Sequence, residues 1–219
     1  MRILSAPKGI LAVELPNRRE LTLTMCRMGE FYESPYPEIM GNSFTWEQFL
    51  GRYAREDGGL DYFAKWDGFN VPGGILDLFK RTFILSDREA ELLDKFYEGR
   101  FEYLIAVEVG SDPTTLQHEL CHAIFEMDNR YAHSVVDTIS DSGLFEKLSR
   151  HLIAAEYPDK ATVLLSEANA YLATSNEGEL EETFPGAKIA TSDLRRSLID
   201  LWSQASEEHC IDIALPTTV

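Results

Sequence analysis

The sequence predicts an α+β fold, in which a small mixed or antiparallel sheet precedes a helical C-terminal part. Short stretches rich in strand-forming residues occur in the first half of the 219 residues. Apolar residues recur at helical spacing through most of the second half. No low-complexity linker divides the chain, so we expect one domain over 1–219, with a sheet and aromatic lobe in 1–100 and a further strand and helices in 101–219.

The N-terminal sheet is predicted from three stretches. Residues 9–15 and 20–28 alternate between apolar and polar side chains, which is typical of half-buried strands. The segment Pro16–Arg19 between them has the composition of a hairpin turn. A third strand is expected at 101–109, ending at Gly110.

Aromatic side chains interleaved with Gly and Pro fill residues 30–80. They favour a loop-rich lobe with an aromatic core, and the alternative is an insertion that covers a cleft. We expect a short helix at Thr45–Arg55 and a loop at Asp67–Gly74. A further helix is expected to begin at Ser86, because Ser86 and Glu89 have the spacing of a capping box.

The next helix is predicted over 113–127, because Asp112 is a plausible N-cap and Pro113 suits the first helical position. Apolar residues form one stripe along it. The remaining elements follow from spacing and composition. Helices are expected at 143–156, 161–174 and 192–208, and the acidic stretch Asn176–Glu182 is expected to be a solvated loop.

The helix at 113–127 contains the pattern H-E-x-x-H, from His118 through Glu119 to His122. Two histidines four residues apart lie on one helix face, with Cβ atoms about 5 to 6 Å apart. This spacing suits two ligands of a Zn²⁺ ion with Zn–N bonds of about 2.0 to 2.1 Å. Glu119 lies about 100° further round the helix, where it can reach a water molecule near the metal.

These residues resemble the active-site helix of the zincin metallopeptidases. The resemblance implies that His118 and His122 bind zinc and that Glu119 is the general base. A catalytic zinc needs a third protein ligand and one open position. Glu167, on the predicted helix 161–174, resembles the third ligand of the gluzincin branch, and a carboxylate on so apolar a helix is costly to bury without a partner.

Two alternatives to Glu167 as the third ligand remain possible. Asp128 stands where metzincins carry theirs, but Phe125 occupies the position at which that pattern needs glycine, and no methionine follows Met127. A cysteine would serve in a peptide deformylase-like site, although Cys26 and Cys210 lie outside the corresponding motif. Cys121 is expected to pack as a small apolar side chain.

The predicted chemistry is amide hydrolysis, with Glu119 transferring a proton from the attacking water to the leaving amine. A further hydrogen-bond donor is expected to stabilise the oxyanion. Tyr171 is the first choice because it lies one turn after Glu167. The other candidates for donor are Tyr131, His133 and His151, and Asp137 and Asp141 are candidates for orienting the ligating imidazoles.

The net charge of the protein limits the classes of molecule that it can bind. The net charge of −17 and the pI of about 4.6 oppose binding to nucleic acids and anionic membranes, so we expect a neutral or basic polypeptide substrate. By resemblance, the predicted strand Tyr103–Val109 would be an edge strand that binds the substrate backbone. The three well-spaced cysteines suit a reducing compartment, and residues 1–7 lack the apolar core of a signal peptide. A soluble cytoplasmic protein is therefore expected.

The sequence thus predicts a zinc-dependent peptidase of gluzincin type. Two alternatives stay open at this point. One is a zinc-dependent hydrolase of another amide, such as a deformylase, and the other is a zincin-like binding module without catalysis.

Overall fold

The computed structural model describes residues 1–56, 61–185 and 191–211. The chain divides into two compact units, Met1–Thr115 and Leu116–Val219. Within the described ranges, none of the helices combines the length and the apolarity that crossing a membrane requires.

The first unit contains a four-stranded mixed sheet. Its strands are β1 (Arg2–Ile3), β2 (Ile10–Leu15), β3 (Gly68–Pro72) and β4 (Tyr103–Glu108), in the order β1-β2-β4-β3. β2 and β4 run parallel, and the other two pairs are antiparallel. The strands predicted at 9–15 and 101–109 are confirmed as β2 and β4.

The prediction of an edge strand at Tyr103–Val109 was wrong. β4 lies between β2 and β3, and its backbone pairs with both neighbours along its length. Residues 103–107 are all buried, as expected for a strand in the interior of a sheet. An extended peptide therefore has no open edge on β4 to which it could add.

Five helices are interspersed with these strands along the chain: α1 (Arg18–Glu33), α2 (Trp46–Glu56), α3 (Tyr62–Lys65), α4 (Gly73–Thr82) and α5 (Asp87–Glu98). The predicted strand at 20–28 and the hairpin turn before it were wrong, because this segment lies in α1. Leu21, Met25 and Met28 are fully buried at helical spacing, and the Asn17 side chain caps the helix by accepting from the Glu20 amide at 3.0 Å.

The predicted loop at Asp67–Gly74 was also wrong, since β3 and the start of α4 occupy it. Gly73 permits this connection: its N–H donates to the Glu102 carbonyl oxygen at 2.7 Å, and a Cβ there would lie 2.8 Å from the same oxygen. Two other predictions are confirmed. The helix at Thr45–Arg55 is α2, and Ser86 and Glu89 form a complete capping box on α5.

The aromatic residues of the first unit form its core, as the first interpretation predicted. Phe49 is fully buried and packs edge-on against Tyr62, with ring centroids 4.7 Å apart. Phe31 packs in the same way against Phe79 at 5.9 Å. Cys26 is buried in the same core cluster.

The second unit is helical. Its helices are α6 (Pro113–Met127, which begins in the first unit), α7 (Asn129–Asp141), α8 (Phe145–Ala154), α9 (Ala161–Thr174), α10 (Glu177–Thr183) and α11 (Ser192–Glu208). α9 packs against α8 and α11, and α11 also packs against α7. The predicted helices of this unit are confirmed as α6, α8, α9 and α11.

The acidic stretch at Asn176–Glu182 was predicted to be a loop, which was wrong. Asn176 caps α10 through its side chain, and Glu179 completes a capping box by accepting from the Asn176 amide at 3.1 Å. Local hydrogen bonding at the N-terminus thus stabilises a short helix whose composition resembles that of a solvated loop.

Candidate metal centre

α6 places His118 and His122 side by side. Their ring centroids are 4.7 Å apart, and their Nε2 atoms are 3.0 Å apart. The four-residue spacing puts them on one face of the helix, as the sequence predicts. His122 is buried, whereas His118 is partly exposed and so accessible from solvent.

Glu167 reaches the same point from α9, 45 residues further along the chain than His122. Its Oε2 atom lies 3.5 Å from His118 Nε2, and its Oε1 atom lies 3.4 Å from His122 Nε2. The side chain is buried, and no hydrogen bond of normal geometry to Oε2 occurs within the described part of the chain. A buried carboxylate oxygen without a donor is costly, so this position calls for a further partner.

The electrostatics of the three groups are coupled. Burial raises the pKa of Glu167, but the neighbouring His122 and His118 and a hydrogen bond from Tyr157 outweigh it, so the pKa lies below its usual value. Burial lowers the pKa of His122 to about 4, although Glu167 opposes this effect. His122 is therefore neutral at pH 7, which is the form that binds metal ions.

Ser166 orients His122. Its Oγ atom lies 2.8 Å from His122 Nδ1, so the hydroxyl can accept the Nδ1 proton in the tautomer that has a free lone pair on Nε2. Asp137 and Asp141 were the candidates predicted for this orienting role, but both are exposed on α7. Ser166 was missed because a serine beside a glutamate carries no distinctive sequence pattern.

Two tyrosines border the centre. The Tyr171 ring packs edge-on against His118 at 4.7 Å between centroids, and its hydroxyl lies 2.8 Å from that of Tyr157. Burial raises the pKa of Tyr171 and, together with the charge of Glu167, that of Tyr157. Both hydroxyls therefore keep their protons at neutral pH. Tyr157, in the connection between α8 and α9, was not singled out from the sequence.

Glu119 is buried next to His118 in the sequence. Its charge adds to the effect of burial and of Glu167 in raising the pKa of both Tyr171 and Tyr157. The structure thus gathers all five of the predicted site residues, His118, Glu119, His122, Glu167 and Tyr171, in one region of the second unit.

The competing candidates for the third ligand lie elsewhere. Asp128 caps α7, and its Oδ2 atom pairs with His209 Nε2 at 3.0 Å. Cys121 is buried, as predicted, but it also has polar partners: its Sγ lies 3.4 Å from the Tyr131 hydroxyl and 3.1 Å from Asn169 Nδ2. The Tyr131 hydroxyl therefore has its hydrogen-bond partners in Cys121 and Asn169.

The other candidate oxyanion donors are also accounted for. His133 is exposed, and its Nδ1 lies 2.5 Å from the Asn129 carbonyl oxygen. His151 on α8 packs against Phe184, with ring centroids 6.1 Å apart. Cys210, which was considered as a third ligand rather than as a donor, is exposed beyond the end of α11.

The spacing of the two imidazoles and the carboxylate is suited to holding a metal ion. Bonds of about 2.0 to 2.2 Å to Zn²⁺ require neighbouring ligand atoms about 3.3 to 3.5 Å apart. The observed separations are near this range: 3.0 Å between the two Nε2 atoms, 3.5 Å from His118 Nε2 to Glu167 Oε2, and 3.4 Å from His122 Nε2 to Glu167 Oε1, so each imidazole faces a different oxygen of Glu167. Among the residues that the structure describes, His118, His122 and Glu167 are the one such group with metal-ligating atoms within 4.8 Å of one another.

Comparison of the chain with protein-family models, with curated proteins and with solved structures gave no match.

Proposed function

We propose that this protein is a zinc-dependent peptidase in which His118, His122 and Glu167 hold the metal. The observation that carries the proposal is the position of Glu167. The two oxygens of a buried carboxylate from a separate helix lie 3.4 and 3.5 Å from the two Nε2 atoms, and within the described ranges one of these oxygens makes no hydrogen bond of normal geometry. A His₂Glu ligand set with an open fourth position is typical of catalytic zinc.

The protein groups around the ion have separate roles. Zn²⁺ in such a site supplies an activated water molecule and polarises the substrate carbonyl. Glu119 accepts the proton of the attacking water and delivers it to the leaving amine. Ser166 would accept the Nδ1 proton of His122 and so orient its imidazole with Nε2 toward the metal.

Tyr171 donates a hydrogen bond to the developing oxyanion in this proposal. Its raised pKa keeps the hydroxyl protonated, which a donor requires. Tyr157 acts as a positioning residue, since its hydroxyl lies 2.8 Å from that of Tyr171.

The proposed substrate is a neutral or basic polypeptide, because a net charge of −17 repels polyanions such as nucleic acids and anionic membrane surfaces. We also propose a cytoplasmic location. All three cysteines are free, and two of them are buried, which fits a reducing compartment.

The proposal is tested by incubating zinc-loaded protein with a peptide library and identifying products by mass spectrometry. The wild-type protein should cleave peptide bonds, and Glu119→Gln should lose at least about 100-fold of the rate while it retains zinc. Glu126→Gln, an exposed substitution on the same helix, is the matched control and should cleave normally. Absence of cleavage by zinc-loaded wild-type protein, or full activity of Glu119→Gln, would contradict the proposal.

A further inference from the structure

A cavity of about 480 Å³ lies beside Tyr171 in the second unit. Its volume is within the range of about 300 to 1,000 Å³ that is usual for pockets binding small ligands. The apolar part of its wall consists of Ala154, Ala155 and Pro185. Two carboxylates also line it, those of Glu179 and Glu182. The cavity therefore offers both apolar surface and negative charge.

The cavity adjoins the candidate metal centre through one side chain. Tyr171 lines the cavity, and the same ring packs against His118 at 4.7 Å. Burial raises the pKa of Tyr171 most, and the charges of Glu167, Glu119 and Glu179 raise it further. The charge of Glu179 therefore reaches the side chain that separates the cavity from the histidines.

The two carboxylates lie on one side of α10, and that of Glu179 is held by a hydrogen bond. Glu179 and Glu182 are three residues apart on α10, so they lie on the same side of the helix. One oxygen of Glu179 accepts the Asn176 amide at 3.1 Å, which fixes the direction of the side chain. A pre-positioned carboxylate of this kind binds a cationic group with little loss of conformational entropy.

The geometry points to this cavity as the subsite that binds a lysine or arginine side chain of the substrate. The long methylene stem would lie along Ala154, Ala155 and the Tyr171 ring, and the cationic end would meet Glu179 and Glu182. This assignment rests on the proposed peptidase function, and it specifies the class of polypeptide that the centre accepts.

The test compares peptides that carry Lys, Arg, Leu or Glu at a single varied position, with zinc-loaded protein as the enzyme. The wild-type protein should prefer Lys and Arg over Leu by about tenfold or more in kcat/KM, since charge-assisted hydrogen bonds are strong. The double variant Glu179→Gln and Glu182→Gln should lose most of that preference, which is measured as the ratio of kcat/KM for the Lys and Leu peptides. Glutamine preserves the capping box at position 179.

Glu181→Gln is the matched control, because it removes the same charge from an exposed position on α10 that does not line the cavity. It should retain the preference. A second readout does not depend on turnover: Glu119→Gln should bind the Lys peptide about tenfold more tightly than the Leu peptide in calorimetry, and the additional removal of both carboxylates should abolish this difference.

The outcomes separate the two proposals. Cleavage without preference for Lys or Arg, or a preference that the double variant retains, would overturn the subsite and leave the peptidase function standing. Failure of the wild-type protein to cleave any peptide would overturn the peptidase function, and the subsite assignment would fall with it.

Discussion

Replacement of Glu167 by glutamine should remove most of the stabilisation that zinc gives to this protein. The carboxylate contributes one of three ligand atoms, with its two oxygens 3.4 and 3.5 Å from the imidazole Nε2 atoms. Glutamine has nearly the same shape, but its neutral amide oxygen is a poor zinc ligand. The substitution therefore tests the ligand with little change in packing.

The size of the effect follows from linkage. At a free zinc concentration 100 times the dissociation constant, binding stabilises the native state by about 2.7 kcal/mol. For a chain of this length, that corresponds to a rise in Tm of about 5 to 11 °C. Loss of a second-sphere partner weakens zinc binding by about 10 to 100-fold, so loss of a direct ligand should cost at least about 100-fold. The stabilisation at the same zinc concentration then falls to about 0.4 kcal/mol, or roughly 1 °C.

The assay is differential scanning calorimetry of wild-type, Glu167→Gln and Glu126→Gln proteins, each with a chelator and with buffered zinc. Glu126 is exposed on α6, so its variant should show the same zinc-dependent rise as wild type. Similar Tm values in the chelator would show that Glu167→Gln folds normally. The reasoning fails if zinc does not raise the Tm of the wild-type protein, or if it raises that of Glu167→Gln equally.

Three further predictions concern the surroundings of the centre. Ser166→Ala should weaken zinc binding by about 10 to 100-fold, because His122 loses the partner of its Nδ1, and competition with a chromophoric chelator would show an unchanged affinity if this is wrong. Asn169→Ala should destabilise the protein by about 1 to 3 kcal/mol in urea unfolding, since it leaves a buried thiol and phenol short of a partner, and a loss within error would contradict this. Burial alone would raise the pKa of Asp128. Hydrogen bonds from His209 and two backbone amides lower it by a larger amount, so the pKa lies below its usual value. Its charge therefore stabilises the fold at pH values above about 4 and loses this effect as pH falls through the depressed pKa. Asp128→Asn, which retains an N-cap, should accordingly be less stable than wild type at pH 7 and approach it near pH 2 in thermal unfolding, and a constant difference across this range would refute the argument.

The elements that the sequence predicted well are those with strong local signals. α5 has a complete capping box at Ser86 and Glu89, and α6 begins at Pro113, as its N-terminal residues indicate. The pairing of His118 with His122 follows from helix periodicity alone. Each of these features depends on residues within one or two helical turns.

The errors arose where non-local packing or capping decided the structure. The alternation at 20–28 suggested a strand, but burial of Leu21, Met25 and Met28 on one face selects the helix α1. The interior position of β4 depends on β3, which lies more than 30 residues away in the sequence. Local pattern carries no information about such a pairing.

The same limit applies to the site. Glu167 could be singled out because a carboxylate on an apolar helix is unusual, but its distance from the histidines depends on how α9 packs in the second unit. Ser166 and Tyr157 contact the centre through side-chain geometry, and neither belongs to a recognisable spacing pattern.

The most direct test of the account is anomalous diffraction at the zinc absorption edge from crystals of the protein purified without added metal. The account predicts one strong peak about 2.0 to 2.2 Å from His118 Nε2, His122 Nε2 and a carboxylate oxygen of Glu167. Absence of a peak between these three side chains after zinc is supplied, or a zinc ion bound only elsewhere on the protein, would contradict it.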